Sequence, residues 1–195
     1  MARKADKPAQ EAQLSQAVWD VLAGQGLDRL TIRAVAAAAG CTTGLVMHRF
    51  PHRRALLLHA RGLLHERTRA RVDALEADAA TPRDSLRAVL RQALALNEEK
   101  VGETFVWLGF LAAAVGDEEM NALHRAKNQA WRERVSRLVA AVAPDWTAER
   151  VATVAFGLIA TADGAATLAS ADPVAYPPAT QSAMLDTTLT ALGLS

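Results

Sequence analysis

The side chains best placed to do chemistry lie between residues 31 and 50, and the chemistry they suit is hydrogen bonding to DNA. Thr31 and Thr42 each stand where a helix N-cap is expected, and Gly40 can end one helix and reverse the chain. Val46 and Phe50 are four residues apart, so on a helix they share one face and point into a core. The spacing predicts two short helices joined by a tight turn.

The other face of the second helix carries small and polar side chains. Thr43, Gly44, Met47 and His48 point outward there, with Arg49 beside them. Such residues at the N-terminal end of an exposed second helix are typical of a surface that enters the major groove of DNA. The same spacing also fits an ordinary corner of an all-α domain, and the spacing alone does not separate the two interpretations.

The wider stretch, about residues 10 to 60, resembles the N-terminal block of the TetR family of bacterial transcriptional repressors. The resemblance is carried by an ordered set of pieces: Gly24-Gln25-Gly26-Leu27, Leu30-Thr31-Ile32-Arg33, Val35-Ala36, Ala39-Gly40, Thr42-Thr43-Gly44, Val46, and Phe50 followed by Arg53 and Leu56. It implies a three-helix helix-turn-helix head at residues 1–55 and a ligand-binding and dimerisation domain at residues 56–195. We therefore predict that double-stranded operator DNA is contacted by Thr31, Arg33, Thr42, Thr43, Gly44, Met47, His48, Arg49 and Arg53.

The chain departs from the family pattern at two positions of the second helix. Family members usually carry an aromatic residue, most often Tyr, where this chain has Met47, and frequently a second one at His48. Such a Tyr commonly contacts a phosphate, a role that His48 and Arg49 could take over. The departures leave open a second hypothesis, a helical small-molecule-binding module with weak or no specific DNA binding.

Composition and charge agree with a regulator of this kind. Half of the 195 residues are apolar, only one Tyr occurs, and alternating β-branched runs are absent, so we predict an all-α fold. Residues 1 to 75 hold 12 Lys and Arg against 6 Asp and Glu, whereas the remainder holds 10 against 15. A basic first third on an acidic body is typical of a DNA-binding head on a carrier domain, although chance surface composition gives the same split.

The N-terminal stretch and the cysteine content predict a cytoplasmic protein. Residues 1 to 16 are polar and charged and do not resemble a signal peptide. The weakly polar run from 151 to 170 is too poor in large apolar residues for a membrane span. The single Cys41 excludes an intramolecular disulfide. We interpret it as a small buried side chain, with a redox-sensitive thiol before a helix N-terminus as the alternative.

Periodicity predicts further helices beyond the head. They cover residues 51–78 with Pro51 in the first turn, 83–97, an apolar segment at 105–111 closed by Gly116, 117–142, 148–170 and 179–192. In the first of these, we expect Arg61, Arg67, Arg69 and Arg71 to lie on solvated faces.

The helix at 148–170 has the composition of a packing surface. It is dominated by Ala, Gly and Thr, and Asp163 is its only charge after Arg150. Gly157 and Gly164 are seven residues apart on one face, where another helix can approach closely. We predict a homodimer through residues 148–192, with a central helix of a monomeric bundle as the alternative.

Large side chains are concentrated between residues 105 and 131. Large apolar walls with a few polar groups describe a small-molecule pocket, and a well-packed core is the alternative. Residues 83–142 also vaguely resemble the regulatory domain of the choline/betaine-operon repressor branch, which makes the pocket the favoured interpretation without identifying choline as its ligand. We predict that an inducer is bound by Phe105, Trp107, Phe110, Met120, His124, Asn128 and Trp131.

The sequence gives little support for catalysis. H-E-x-x-H, G-x-S-x-G and G-x-x-x-x-G-K-[ST] are absent, and the five His lack metal-ligand spacing. His52 and His59 share a helix face, but no carboxylate or Cys completes a site. We predict no cofactor, no metal and no enzymatic activity, and a dimeric, ligand-responsive repressor that binds palindromic operator DNA and is released by an inducer.

Overall fold

The computed structural model describes residues 7–195, and every regular element in that range is helical. The α-helices are α1 (Lys7–Gln25), α2 (Ile32–Ala38), α3 (Thr43–Arg49), α4 (Arg53–Asp78), α5 (Pro82–Arg91), α6 (Glu98–Ala114), α7 (Glu118–Val142), α8 (Ala148–Ala171) and α9 (Pro178–Ala191). A short 3-10 helix, Leu27–Arg29, follows α1. The all-α prediction is confirmed. Residues 1–6, which belong to the predicted head and to the stretch predicted not to be a signal peptide, lie outside the described residues.

Two side-chain caps define the pair of short helices. The Thr31 hydroxyl accepts a hydrogen bond from the Ala34 N–H at 3.1 Å, and the Thr42 hydroxyl accepts one from the Leu45 N–H at 3.3 Å. Gly40 lies between the helices at a φ of +60°, a left-handed conformation that glycine adopts without strain. The local signals read from the sequence therefore produce the predicted helix-turn-helix.

Helix α4 begins two residues later than predicted. The ring of His52 accepts a hydrogen bond from the Ala55 N–H through Nδ1 at 3.2 Å, so His52 is the N-cap and Pro51 precedes the helix. The 26 residues of α4 span about 39 Å at 1.5 Å per residue. Leu56 near its start belongs to the hydrophobic core of the head, and Val72 near its end belongs to a second core.

Helix α5 ends at Arg91, six residues before the predicted end. The reason is a tertiary contact: the buried amide of Gln181, from α9, bonds the backbone of Ala95. Its Oε1 accepts from the Ala95 N–H at 2.9 Å, and its Nε2 donates to the Ala95 carbonyl at 3.1 Å. This pair of bonds stabilises a turn where helical periodicity alone predicts more helix.

Helix α6 crosses the end of α1 at short range because it carries two glycines seven residues apart. A methyl group at Gly102 would lie 3.3 Å from the Ala23 carbonyl oxygen, and one at Gly109 would lie 2.6 Å from Leu27 Cδ2. The core of the head continues across this contact to Val106 of α6. The head and the C-terminal helices thus share one hydrophobic cluster.

Helix α8 is packed on one side only. Leu158 and Ala162 are buried against the second core, whereas Phe156 and Leu168 are 51% and 45% exposed. A methyl group at Gly157 or Gly164 would meet no atom within 4 Å. Within residues 7–195, α8 alone has the length and composition to cross a membrane, contrary to the expectation that it is too poor in large apolar residues. Core helices of soluble proteins pass the same test.

Candidate functional site

The outer face of α3 carries the side chains that the sequence predicted there. Val46 is fully buried in the head core, and the residues flanking it on the helix surface are exposed: Thr43, Gly44, Met47, His48 and Arg49. Met47 is 52% exposed, and the Arg49 guanidinium lies 5.3 Å from the ring of Phe50. The face is small and unhindered around Gly44, where a methyl group would meet only the Thr42 hydroxyl, at 3.9 Å.

The other predicted DNA contacts surround this face. Thr31, Arg33 and Thr42 are exposed at the starts of α2 and α3. Arg53, predicted to contact DNA, also has an internal role in the head: its Nε donates to the Leu30 carbonyl at 3.2 Å and its Nη2 to the Leu27 carbonyl at 2.9 Å. These two bonds fix the guanidinium at the surface of the head.

A cavity of about 360 Å³ lies between α4, α6, α7 and α8. Its apolar wall includes Trp107, Trp131, Leu64 and Ile159. A volume of this size is within the range of small-molecule sites. The aromatic cluster predicted between α6 and α7 therefore lies beside a cavity that is partly open to solvent.

The seven residues predicted to bind the inducer divide into three groups. Trp107, Asn128 and Trp131 line the large cavity. Phe110, Met120 and His124 line an adjoining space of about 10 Å³. Phe105 is 46% exposed on the outside of α6 and lines neither space. The groups are connected, because His124 stacks on Trp107 at 4.9 Å and is hydrogen-bonded to Asn128 at 2.8 Å.

The sequence analysis missed the charged side chains of the cavity. Arg61 of α4 and Asp163 of α8 both line it. The expectation that Arg61 is solvated is wrong, because its side chain falls on the same face of α4 as Leu57 and Leu64 and is only 6% exposed. The sequence did contain a signal for this burial: Arg61 is a charged residue at a position of α4 where the helical period predicts an apolar one.

Two neighbouring arginines also leave the solvated face predicted for them. The guanidinium of Arg67 stacks on the ring of Trp19 at 4.1 Å, and Arg71 forms ion pairs with Glu99 and with the buried Glu103. Arg69 is exposed, as expected, within ion-pair distance of Asp73 at 3.9 Å.

The charges of the cavity are unevenly compensated. Burial lowers the pKa of Arg61 to about 10 and raises the pKa of Asp163 to about 6. Burial, followed by the positive charges of Lys127 and Arg61, lowers the pKa of His65. Arg61 of α4 and Lys127 and Arg132 of α7 line the cavity without an ion pair among residues 7–195, so the α4–α7 side carries an excess of positive charge.

A second set of charged side chains in the cavity neutralises itself through ion pairs. Glu103 is buried, but it pairs with Arg71 and with Lys100, whose Nζ lies 3.0 Å from Glu103 Oε2. Burial lowers the pKa of Lys100, against the opposing effect of Glu103. This cluster satisfies its own charge and leaves little for a ligand to neutralise.

The cavity is joined to the head by an ion pair as well as by the glycines of α6. Nη2 of Arg54, in the first turn of α4, lies 2.7 Å from Asp117 and 2.7 Å from Glu119. The Asp117 carboxylate also caps α7 by accepting from the Met120 N–H at 3.0 Å, and its hydrogen bond with Arg54 lowers its pKa. Arg54 thus connects the start of α7 to the first turn of α4. Residues 7–195 hold no cluster of His, Cys, Asp or Glu that could share a metal ion.

The capped helix pair and the helical body with its cavity define a two-domain, all-α architecture suited to a regulator. Residues 14–60 match the sequence profile of bacterial regulatory proteins of the tetR family, and residues 82–194 match that of the BetI-type transcriptional repressor, C-terminal. The chain belongs to the TetR family of bacterial regulatory proteins, with a C-terminal domain of the BetI type.

Individual relatives agree with this assignment. The chain is 30% identical over 130 residues to the HTH-type transcriptional regulator BetI of Stenotrophomonas maltophilia, which covers 66% of this chain and 66% of BetI. The matched stretch spans 58–66% of the length of the first curated relatives. A transcriptional regulator from Rhodococcus sp. Rha1 superposes with a TM-score of 0.82 at 28% identity, covering 92% of this chain and 94% of that one.

A second solved structure shares the fold at lower sequence identity. It is a putative transcriptional regulator from Saccharomonospora viridis in complex with choline, with a TM-score of 0.84 at 17% identity. The superposition covers 95% of this chain and 97% of the neighbour. At this identity the likeness concerns the fold alone.

Proposed function

We propose that this protein is a dimeric transcriptional repressor that binds operator DNA through α2 and α3 and is released by a small molecule. The observation that carries the proposal is the face of α3, where small and polar side chains are exposed directly above the buried Val46. Membership of the TetR family supports DNA binding as the role of this face. The domain division at residue 55, the site residues and a cytoplasmic location are parts of the same proposal.

Dimerisation follows from the requirement for two recognition helices. A palindromic operator is read by two copies of α3 placed about 34–36 Å apart, one turn of DNA. The exposed apolar face of α8, with open space at Gly157 and Gly164, supports pairing of α8 and α9 with a second copy of the chain. Such a contact would cover Phe156 and Leu168 in a four-helix bundle rather than in lipid.

The cavity supports the inducible part of the function. A ligand controls DNA binding only to the extent that it prefers one of two arrangements of the helices. The cavity touches α4, α6 and α7, and all three are joined to the head, through the shared core, Gly109 and Arg54. Filling the cavity would therefore alter the positions of the two heads.

The DNA-binding half of the proposal is tested with the DNA that adjoins the coding sequence. Fragments of this upstream region, labelled and titrated with protein at several salt concentrations, should show a specific complex that survives excess unrelated DNA. Footprinting of that complex should reveal two half-sites about one turn apart. Uniform weak binding to every fragment would instead support the alternative, a ligand-binding module without specific DNA recognition.

The inducer half is tested separately, by tryptophan fluorescence. A molecule that enters the cavity should change the emission of Trp107 and Trp131 and, at the same concentrations, weaken binding to the operator. Replacing Trp107 with Ala should remove both responses and leave operator binding without ligand intact. An inducer whose affinity is unaffected by substitutions at Trp107 and Trp131 would place the effector site elsewhere.

A further inference from the structure

We propose that the cavity binds an organic acid whose carboxylate pairs with Arg61 and whose apolar body packs against Trp107 and Trp131. The inference rests on the proposed function, in which this cavity is the effector site, and it adds the charge of the effector.

Arg61 is the central observation. Its side chain is only 6% exposed and lines both the large cavity and the small one beside it. Its Nε is buried without a hydrogen-bond partner, and within residues 7–195 no ion pair joins its guanidinium to a carboxylate. The contact that it does make is with the face of Trp107, at 5.3 Å. A buried cation without an anion is costly, and a bound carboxylate would remove that cost.

The geometry of the guanidinium suits an acid. The planar fork of an arginine matches a carboxylate with two parallel hydrogen bonds, which are stronger than bonds between neutral groups. Because Arg61 is already held against Trp107, little side-chain entropy remains to be lost when the acid binds. A ring attached to that carboxylate would reach the apolar wall formed by Leu64, Trp107 and Trp131.

The other cations of the cavity reinforce the preference. Arg134 lines the cavity but is neutralised by Asp73 at 2.6 Å and Glu76 at 2.7 Å. Lys127 and Arg132 also line it, and neither forms an ion pair with the described residues. Burial lowers the pKa of His65 and of His124, and the charges of the cavity add to this effect: Lys127 and Arg61 at His65, Arg61 and Arg132 at His124. Arg61, Lys127 and Arg132 are therefore the positive charges that an anion would meet in the cavity.

The carboxylates of the cavity do not offset these charges. Glu103 is already paired with Arg71 and Lys100, so its charge is neutralised. Asp163, on α8, is the remaining carboxylate among the lining residues, and burial raises its pKa. A simple cation would find one partner there and would meet the field of Arg61, Lys127 and Arg132. An acid therefore fits this cavity better than an ammonium ion of the kind bound in the Saccharomonospora structure.

The test compares three probes of one shape and different charge: 4-tert-butylbenzoate, 4-tert-butylbenzamide and 4-tert-butylbenzylammonium. Their affinities for the full-length wild-type protein are measured at pH 7.5 by calorimetry and by tryptophan fluorescence. We expect the benzoate to bind at least about tenfold more tightly than either analogue, which corresponds to about 1.4 kcal/mol. This comparison needs no substitution, so it does not depend on the folding of a variant.

Substitution of Arg61 gives the second arm. In Arg61→Gln, the affinity for the benzoate should fall at least about tenfold, whereas the affinity for the benzamide should change less than about threefold. Benzamide binding thereby shows that the cavity of the variant is intact. Arg125→Gln, at an exposed position of α7, is the matched control and should bind the benzoate like the wild type.

The outcomes separate the charge of the ligand from its regulatory role. An ammonium probe that binds as tightly as the benzoate, a benzoate affinity unaffected by Arg61→Gln, or no binding of any probe would overturn the proposal. If benzoate binding depends on Arg61 but does not change the affinity for the operator, the result supports the acid site and contradicts release of the repressor by a ligand in this cavity. If the wild-type protein without any probe does not bind operator DNA, the proposed function is contradicted, whereas the acid site is not.

Discussion

At the level of single residues, Gly44 occupies the part of α3 that lies closest to DNA in the proposed complex. The substitution Gly44→Leu should reduce operator affinity roughly a hundredfold or more, toward non-specific binding, because the side chain blocks close approach. Its Cβ would meet only the Thr42 hydroxyl at 3.9 Å, so the head should fold normally, and helix propensity even favours Leu. Gel-shift titration measures the affinity for the operator, and thermal denaturation measures the stability of the variant. Gly24→Leu, at an exposed position of α1, is the control and should bind operator normally.

Arg53 combines a proposed phosphate contact with two bonds inside the head. Arg53→Ala should weaken binding to all DNA sequences about equally and make the salt dependence shallower by roughly one in slope. It should also lower the thermal midpoint, since the bonds to the Leu27 and Leu30 carbonyls are lost. Affinity is measured at several salt concentrations, with Arg125→Ala as the control. A changed base preference at an unchanged salt slope would contradict the phosphate role.

The caps and the charges differ in how far they could be predicted. Thr31 and Thr42 act on a backbone N–H three residues away, so their roles could be read from local sequence. The helical period assigns Arg61 to the apolar face of α4, but the cavity around it could not be predicted locally, because that cavity depends on α6 and α7 packing over α4. The division of the aromatic residues also depends on packing, and Phe105 lies outside because it faces away from α4 and α7 on its helix.

At the level of elements, the approach of α6 to the head depends on Gly109. A methyl group there would lie 2.6 Å and 2.8 Å from Leu27 Cδ2 and Cβ, so Gly109→Ala requires the 3-10 helix to move. Overpacking of this kind costs about 1–3 kcal/mol in the free energy of unfolding. We expect a lower midpoint in urea together with an altered operator affinity. Gly116→Ala, where the same methyl group meets open space, should change neither quantity.

The observed helix boundaries agree with the predicted ones where a local cap or proline sets them. They differ where a residue distant in the sequence forms the decisive contact. Both boundaries of α8 and of α9 agree with the prediction within one residue. Thr147 caps the start of α8, and Pro178 is the first residue of α9. The end of α5 was wrong because Gln181 bonds the backbone of Ala95 from another helix. The period of the apolar residues contains no information about such a bond.

At the level of the whole molecule, the proposed dimer depends on the open face of α8. Gly164→Arg should leave each subunit folded, because a Cβ there meets no atom of its own chain within 4 Å, but it should place a charge in the seam between subunits. We expect monomers by analytical ultracentrifugation at micromolar concentration, and loss of operator binding. Ala70→Arg, on the exposed side of α4, is the control and should sediment like the wild type. A wild-type protein that sediments as a monomer would contradict the proposed assembly.

The unpartnered guanidinium of Arg61 also places this protein in a trade-off between stability and activity. A buried charge costs folding free energy in every molecule without ligand, so an apolar residue of similar length should fold more stably. Arg61→Met is expected to raise the free energy of unfolding by about 1–2 kcal/mol in urea titrations, against little change for Arg125→Met. A less stable Arg61→Met protein would show that the contact with Trp107 outweighs the cost of burial. Selection for folding stability alone would remove Arg61. If the protein is a sensor of an acid, Arg61 lowers the stability of the ligand-free fold and strengthens the binding of the effector.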